Sequence, residues 1–212
     1  MFKLLYADVS DLTPTGFERL CKTLPAERLK KVQAQKQVKN RYLSAATGYL
    51  LQIALNDLGL VNPDICLNEH GKPYLKEGGV YFNLSHSGCI AVCALSSYEV
   101  GVDVQQIKPL SDKLVKRVCT AEEYSFVMRE ADGADQRFCR LWAVKESVIK
   151  CLGKGLSLSP SRVGVNLSNP HRITIDGVDT NLHFKEYDLG GYAVAVCSTC
   201  ENFLSDINKI PV

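Results

Sequence analysis

An α+β fold built from two similar halves is predicted for this 212-residue chain. Three observations predict it. Two long stretches carry helical periodicity, many short ones carry strand character, and one apolar strand is echoed late in the chain. IAVCALS at 90–96 reappears as YAVAVCS at 192–198, each after a helix-then-strand unit. Any two Ala/Val core strands look alike, so coincidence stays open. Read as a true repeat, the echo divides the chain into halves at 1–100 and 101–212, side by side as a pseudo-two-fold pair. A cleft between them would be a natural ligand site.

The elements follow in order. Phe2–Val9 alternates apolar residues and reads as a strand. Residues 25–58 read as one helix, with Leu43, Leu50, Leu51, Ala54 and Leu58 recurring at helical spacing and no internal proline. Gly59 and Asn62-Pro63 end it. His70-Gly71-Lys72-Pro73 is a turn between strands at Ile65–Leu67 and Val80–Phe82. Ile90–Leu95 and Val100–Val104 are strands. Helices are expected at Ser111–Val118, Ala121–Arg129 and 136–152, the last stopped by Gly153. Strands at Val163–Leu167, His171–Ile175, His183–Tyr187 and Tyr192–Cys197 complete the chain.

Composition excludes several classes. With 46% hydrophobic and 23% charged residues the chain has the make-up of a folded protein, not a disordered one. Lys and Arg number 25 against 23 Asp and Glu, a balance of +2 that suits no nucleic-acid-coating protein. No apolar run approaches the roughly 20 residues of a membrane span. MFKLLYADVS lacks a signal peptide's longer apolar core and cleavage site. Nine cysteines cannot all pair internally and read as thiols, so a cytoplasmic location is expected.

The segment running from Trp142 to Gly153 holds the densest chemistry. Phe138, Leu141, Trp142, Val148, Ile149 and Leu152 share one helix face, and Lys145 falls inside it. A buried ammonium is costly unless an anion meets it. Glu146 and Lys150, at the edge of that face, make either an exposed i,i+4 pair or an anion-binding edge. In Val100–Gln105, Asp103 and Gln105 stand two apart on a strand and so share a face. Asp103 is either a strand-ending turn former or a magnesium ligand. Asn83–Gly88, with Ser85 and His86, is either a self-satisfied hairpin loop or a set of phosphate donors.

Arg28, Lys30, Lys31, Lys36, Lys39 and Arg41 crowd one segment with a single acid, Glu27. It is a solvated face or a phosphate site, nucleic acid being the weaker option. Cys197-Ser-Thr-Cys200 has no second pair to make a zinc site. Thr120-Ala-Glu-Glu123 is a capping box, which explains Glu123 without excluding catalysis.

Taken together and in order, these segments resemble the phosphopantetheinyl transferases of the surfactin-synthetase-activating type. The matching blocks are GKP at 71–73, FNLSHSG at 82–88, GVDVQ at 101–105 and WAVKESVIKCLGKGL at 142–156. The resemblance implies the family's pseudo-dimeric monomer fold and a Mg²⁺-dependent enzyme of the holo-[acyl-carrier-protein] synthase kind, with Mn²⁺ as a substitute. Its reaction would transfer 4'-phosphopantetheine from coenzyme A to a serine of an apo acyl or peptidyl carrier protein, releasing 3',5'-ADP. By similarity Asp103 and Glu146 would hold the metal, with Gln105 beside them, and Lys150 would contact the pyrophosphate. Ser85 and His86 would meet the phosphates, Arg28 and Lys31 the 3'-phosphate, with Arg41 a looser match. The turn carrying Lys72 and Pro73 would flank the adenine.

Attack at the β-phosphate needs its charge neutralised, by Mg²⁺, Lys145 or Lys150, and His86. It also needs the serine proton removed, for which Glu146, directly or through a metal-bound water, is the first choice and Glu123 the second. The family often has a carboxylate where this chain has Gln105, which leaves the metal one negative charge fewer. The alternative reading is a non-catalytic module that binds coenzyme A or a carrier protein. Neither nucleic acid nor a membrane is an expected partner.

Overall fold

The computed structural model describes residues 1–167 and 171–212. The first half opens with β1 (Phe2–Asp8), then α1 (Pro14–Thr23), α2 (Ala26–Gln33) and α3 (Val38–Asn56). A two-stranded hairpin of β2 (Ile65–Leu67) and β3 (Pro73–Leu75) precedes β4 (Tyr81–Ser87) and β5 (Ile90–Ser96). The second half runs through β6 (Val100–Gln106), α4 (Asp112–Val118), α5 (Ala121–Met128) and α6 (Ala134–Leu152). After two short 3₁₀ turns come β7 (Val163–Asn166), β8 (Arg172–Ile175) and β9 (Val178–Asp179), which form their own small antiparallel sheet. The chain ends with β10 (His183–Asp188), β11 (Tyr192–Ser198) and β12 (Asn208–Lys209).

The connectivity repeats. In the first sheet β5 lies between β1 and β4, and in the second β11 lies between β6 and β10, all antiparallel. Each half therefore runs strand, helices, strand, strand, with the last strand in the middle. Those middle strands are the two echoed segments. The first sheet also takes a strand from the end of the chain, β12, which pairs in parallel with β1.

Alternation within the strands builds the core in layers. Leu5, Ala7, Ala91, Cys93 and Leu95 face α3, where Leu43, Leu50 and Leu51 meet them. The opposite face, with Leu4, Val92 and Ala94, packs on Val102, Val104, Val194 and Val196 of the second sheet. That sheet's outer face, with Ala193, Ala195 and Cys197, receives Val144, Val148 and Cys151 of α6.

Four expectations need correction. Residues 25–58 are two helices, because α2 folds back on α3 and buries Val32. Helix α1 was not expected; Thr13 caps it by accepting from Gly16 N at 3.1 Å, with Pro14 in the first turn. Asn83–Ser87 is strand rather than loop. Its polar side chains do work that a ladder would do: Asn83 Oδ1 accepts from Val102 N at 2.9 Å and Ser87 Oγ from Gln106 N at 3.1 Å, stitching β4 to β6. Finally, α6 buries two faces, not one. Val144, Val148 and Cys151 meet the sheet, while Phe138, Leu141 and Trp142 pack with α4 and α5 and Leu152 stays exposed.

Candidate active site

The site begins with a glycine. A Cβ on Gly101 would lie 2.0 Å from Ser147 O and 2.3 Å from Cys151 N, so any side chain there would push α6 off β6. With glycine, the helix settles close enough for Lys150 to reach the strand. Lys150 Nζ lies 2.5 Å from Asp103 Oδ1, 2.9 Å from Ser85 Oγ and 3.3 Å from Val102 O. Ser85 Oγ also donates to Asp103 Oδ1 at 2.7 Å. Gln105 does share a face with Asp103, and its Nε2 donates to Asp103 Oδ2 at 2.6 Å. Asp103, 3% exposed, thus holds one lysine, one hydroxyl and one amide.

Glu146, one turn before Lys150 on α6, belongs to the same group. Burial pushes its carboxyl above the ordinary glutamate value, the Asp103 charge adds to that push, and Lys150 opposes it. Lys150 spans the two carboxylates electrostatically but bonds to Asp103, not Glu146. The exposed i,i+4 pair is therefore not what these residues form.

Ser85 joins this group to an anion pocket of about 400 Å³ lined by Arg28, Lys31, Ser44, Thr47 and His86 among others. Arg28 reaches it by lying across Gly48, where a Cβ would come within 2.8 Å of Arg28 Nε. Its Nη2 donates to Ser44 O at 2.6 Å and to the Thr47 hydroxyl. No carboxylate pairs with this guanidinium among the described residues, and burial pulls its pKa below the ordinary arginine value. His86 is held below the ordinary histidine value by partial desolvation, then by repulsion from Lys150 and Arg28.

Lys145 and Glu123 do not join the Asp103 group. They meet each other: Lys145 Nζ lies 2.6 Å from Glu123 Oε2, with side chains 0% and 5% exposed. Lys145 also donates to Val118 O at 2.9 Å and Pro160 O at 3.1 Å. Glu123 completes the capping box with Thr120 N at 2.7 Å, and its Oε1 accepts from Val165 N at 2.7 Å. Burial pushes the Lys145 ammonium below its ordinary value and Glu123 opposes that push. The anion demanded by a lysine in the apolar face is thus an internal glutamate, which ties α4, α5, α6 and β7 together.

The remaining positions lie around this frame. Lys72 Nζ bonds Glu99 at 2.8 Å and Cys151 O at 2.7 Å, anchoring the β2–β3 hairpin to the end of α6. Pro73 lines a cavity of about 500 Å³ that also reaches Arg28 and Lys31. Arg41 does not line the anion pocket but holds Gln35 O at 2.8 Å, and Gln35 does line it. Lys30 pairs with Glu27 at the surface. Cys197 is buried in β11, and all nine cysteines are free. Ser44, Thr47, Gly48 and Gly101 escaped sequence reasoning as site residues. The glycines were the available signal, since a glycine inside a helix or strand marks a close approach.

Asp103 and Glu146 are the residues that could hold a magnesium ion. Mg²⁺ takes one or two carboxylates and completes its shell with phosphate oxygens and water, and Asp103 and Glu146 are near enough for one charge to raise the other's pKa. Gln105 turns its amide nitrogen to Asp103, so it braces the carboxylate. No group of three or more His, Cys, Asp or Glu side chains that could hold a metal ion gathers among the described residues.

Comparison with known proteins bears on the same segments. A family model described as the 4'-phosphopantetheinyl transferase superfamily matches residues 99–197. The chain is 35% identical over 147 residues to the 4'-phosphopantetheinyl transferase Sfp of Bacillus subtilis (strain 168), covering 67% of this chain and 66% of that protein. It is 33% identical over 158 residues to the 4'-phosphopantetheinyl transferase psf-1 of Bacillus pumilus, covering 66% of this chain and 68% of the relative. A solved holo-(acyl-carrier-protein) synthase from Bacillus anthracis, in complex with CoA (3',5'-ADP), overlays on 48% of this chain and 94% of its own at 19% identity, with a TM-score of 0.42.

Proposed function

Because the chain belongs to the 4'-phosphopantetheinyl transferase superfamily, we propose that it transfers 4'-phosphopantetheine from coenzyme A to a serine of an acyl or peptidyl carrier protein, with release of 3',5'-ADP. One observation carries this reading. Ser85 joins two charge clusters, the Asp103–Lys150 pair with Glu146 and the unpaired Arg28 pocket with Lys31 and His86. A ligand with a diphosphate and a separate phosphate needs both.

Each residue has a task in this scheme. Lys150 leaves Asp103 and carries its charge to the pyrophosphate. Arg28 and Lys31 hold the 3'-phosphate, while Ser85 and His86 offer further donors. Asp103 and Glu146 would hold Mg²⁺, or Mn²⁺ in its place, which when bound supplies positive charge to the diphosphate oxygens. Glu146 accepts the serine hydroxyl proton at its carboxylate, which no protein donor bonds among the described residues. Glu123 has both oxygens engaged, so its task and that of Lys145 is to seat α6. The pseudo-dimeric, monomeric organisation and a cytoplasmic setting complete the proposal; among the described residues no helix is long and apolar enough to cross a membrane.

The test is mass spectrometry of an apo carrier protein incubated with the protein, coenzyme A and Mg²⁺. A gain of one phosphopantetheine on the carrier serine is expected. Coenzyme A binding without modification across several carriers would favour the non-catalytic module instead.

A further inference from the structure

Two buried side-chain polar atoms lack a hydrogen-bond partner among the described residues: Arg28 Nε and Gln52 Oε1. Both residues line the same cavity of about 500 Å³, between α3 and the β2–β3 hairpin. The rest of its wall is largely apolar, with Leu51, Leu55, Phe82, Leu84 and Pro73. A buried amide oxygen with nothing to accept is costly, and such a group calls for a donor. Arg28, Lys31 and Leu84 also line the anion pocket, so the two spaces adjoin.

Their order along α3 says what spans them. Ser44 and Thr47 hold the Arg28 guanidinium at one end, Gly48 gives it passage, and Gln52 stands one turn beyond Gly48. From Ser44 to Gln52 the helix rises about 12 Å, a length one nucleotide covers from phosphate to base edge. The apolar walls suit a flat ring, and a glutamine amide pairs with the adenine N6–H and N7 edge by two hydrogen bonds, Oε1 accepting and Nε2 donating.

We infer that Gln52 is a specificity-determining residue: its side-chain amide reads the adenine edge of the nucleotide whose phosphate Arg28 binds. This rests on the coenzyme A reading above and adds to it a residue that selects the base. Hypoxanthine presents an acceptor at both positions, so the two-bond pairing is lost while every phosphate contact is kept.

The experiment is calorimetric titration of the parent and Gln52→Leu with adenosine 3',5'-bisphosphate and inosine 3',5'-bisphosphate. The parent should favour the adenosine compound by roughly 10- to 100-fold, the discrimination of one two-bond pair. Gln52→Leu should bind both about equally, by losing affinity for the adenosine compound. Leucine matches the cavity wall and removes an unpaired buried oxygen, so the variant's melting temperature should not fall. Equal parent affinity for both nucleotides would overturn the assignment of Gln52 and leave the coenzyme A reading standing. So would discrimination that survives in Gln52→Leu. If the parent binds neither nucleotide, the coenzyme A reading falls, and Gln52 with it.

Discussion

Replacing Lys150 by methionine keeps the side-chain stem and removes the ammonium that Asp103 holds. Asp103 is nearly fully buried and Lys150 about a quarter exposed, with Nζ to Oδ1 at 2.5 Å. A hydrogen bond to a charged group contributes about 1.5–3 kcal/mol. Asp103 would keep the Gln105 amide and the Ser85 hydroxyl, which argues for the low end, about 1.5 kcal/mol. In a chain of this size each kcal/mol moves the melting temperature by about 2–4 °C, so a fall of about 3–6 °C is expected without metal. The effect of a divalent cation should run the other way. In the parent the ion must displace Lys150 from Asp103; in the variant it need not. Removing an obstacle of about 1.4 kcal/mol tightens binding about tenfold. Lys150→Met should therefore bind Mn²⁺ more tightly than the parent when no nucleotide is present, and millimolar metal should restore most of its lost melting temperature. Coenzyme A affinity should drop in the same variant, because the pyrophosphate loses a cation. Calorimetry with Mn²⁺ and melting curves with and without Mg²⁺ read both effects. If parent and variant respond equally to metal, Lys150 does not guard Asp103 and the reasoning fails.

The other expectations follow from the same geometry. His86 has a folded pKa below its unfolded value, so the native state binds fewer protons and loses stability as pH falls below about 6.5; His86→Gln should flatten that acid limb, measured as the variant's melting temperature relative to the parent's between pH 7.5 and 5.5. Binding of 3',5'-ADP should raise the His86 pKa in an NMR titration, and an unmoved value would remove the imidazole from the phosphates. Lys145→Met leaves Glu123 buried without its cation and should cost about 3–5 kcal/mol, seen in urea unfolding; a loss below 1 kcal/mol would refute the clamp between α5 and α6. Gly101→Ala should lower activity more than Gly164→Ala, since it lifts α6 and its Glu146 and Lys150 from Asp103, and equal losses would argue against that placement. Gln105→Glu should destabilise the metal-free protein and tighten Mn²⁺ binding; unchanged metal affinity would show that position 105 does not face the ion.

Much of this was readable in the chain. Period and punctuation located most strands and the later helices, because hydrophobic burial on one face leaves a pattern wherever an element is amphipathic. The Asp103–Gln105 pairing was legible for the same reason: the two-residue period of a strand fixes which side chains share a face. The echoed strands marked the middle of each sheet. A lysine inside an apolar helix face is visible in the sequence, but the partner of Lys145 is not. Glu123 lies 22 positions earlier on another helix, and only the packing of α5 on α6 brings the two together. The break between α2 and α3 contains neither proline nor glycine, so no local rule announces it; it exists because α2 folds back to lay Arg28 across Gly48. Asn83 and Ser87 look like turn formers until β6 presents amides for them to accept. Local periodicity reports which residues are buried, since burial depends on one element's own faces. Which buried charge meets which depends on contacts between distant elements, and there the partners of Lys150, Lys145 and Arg28 were chosen by the fold.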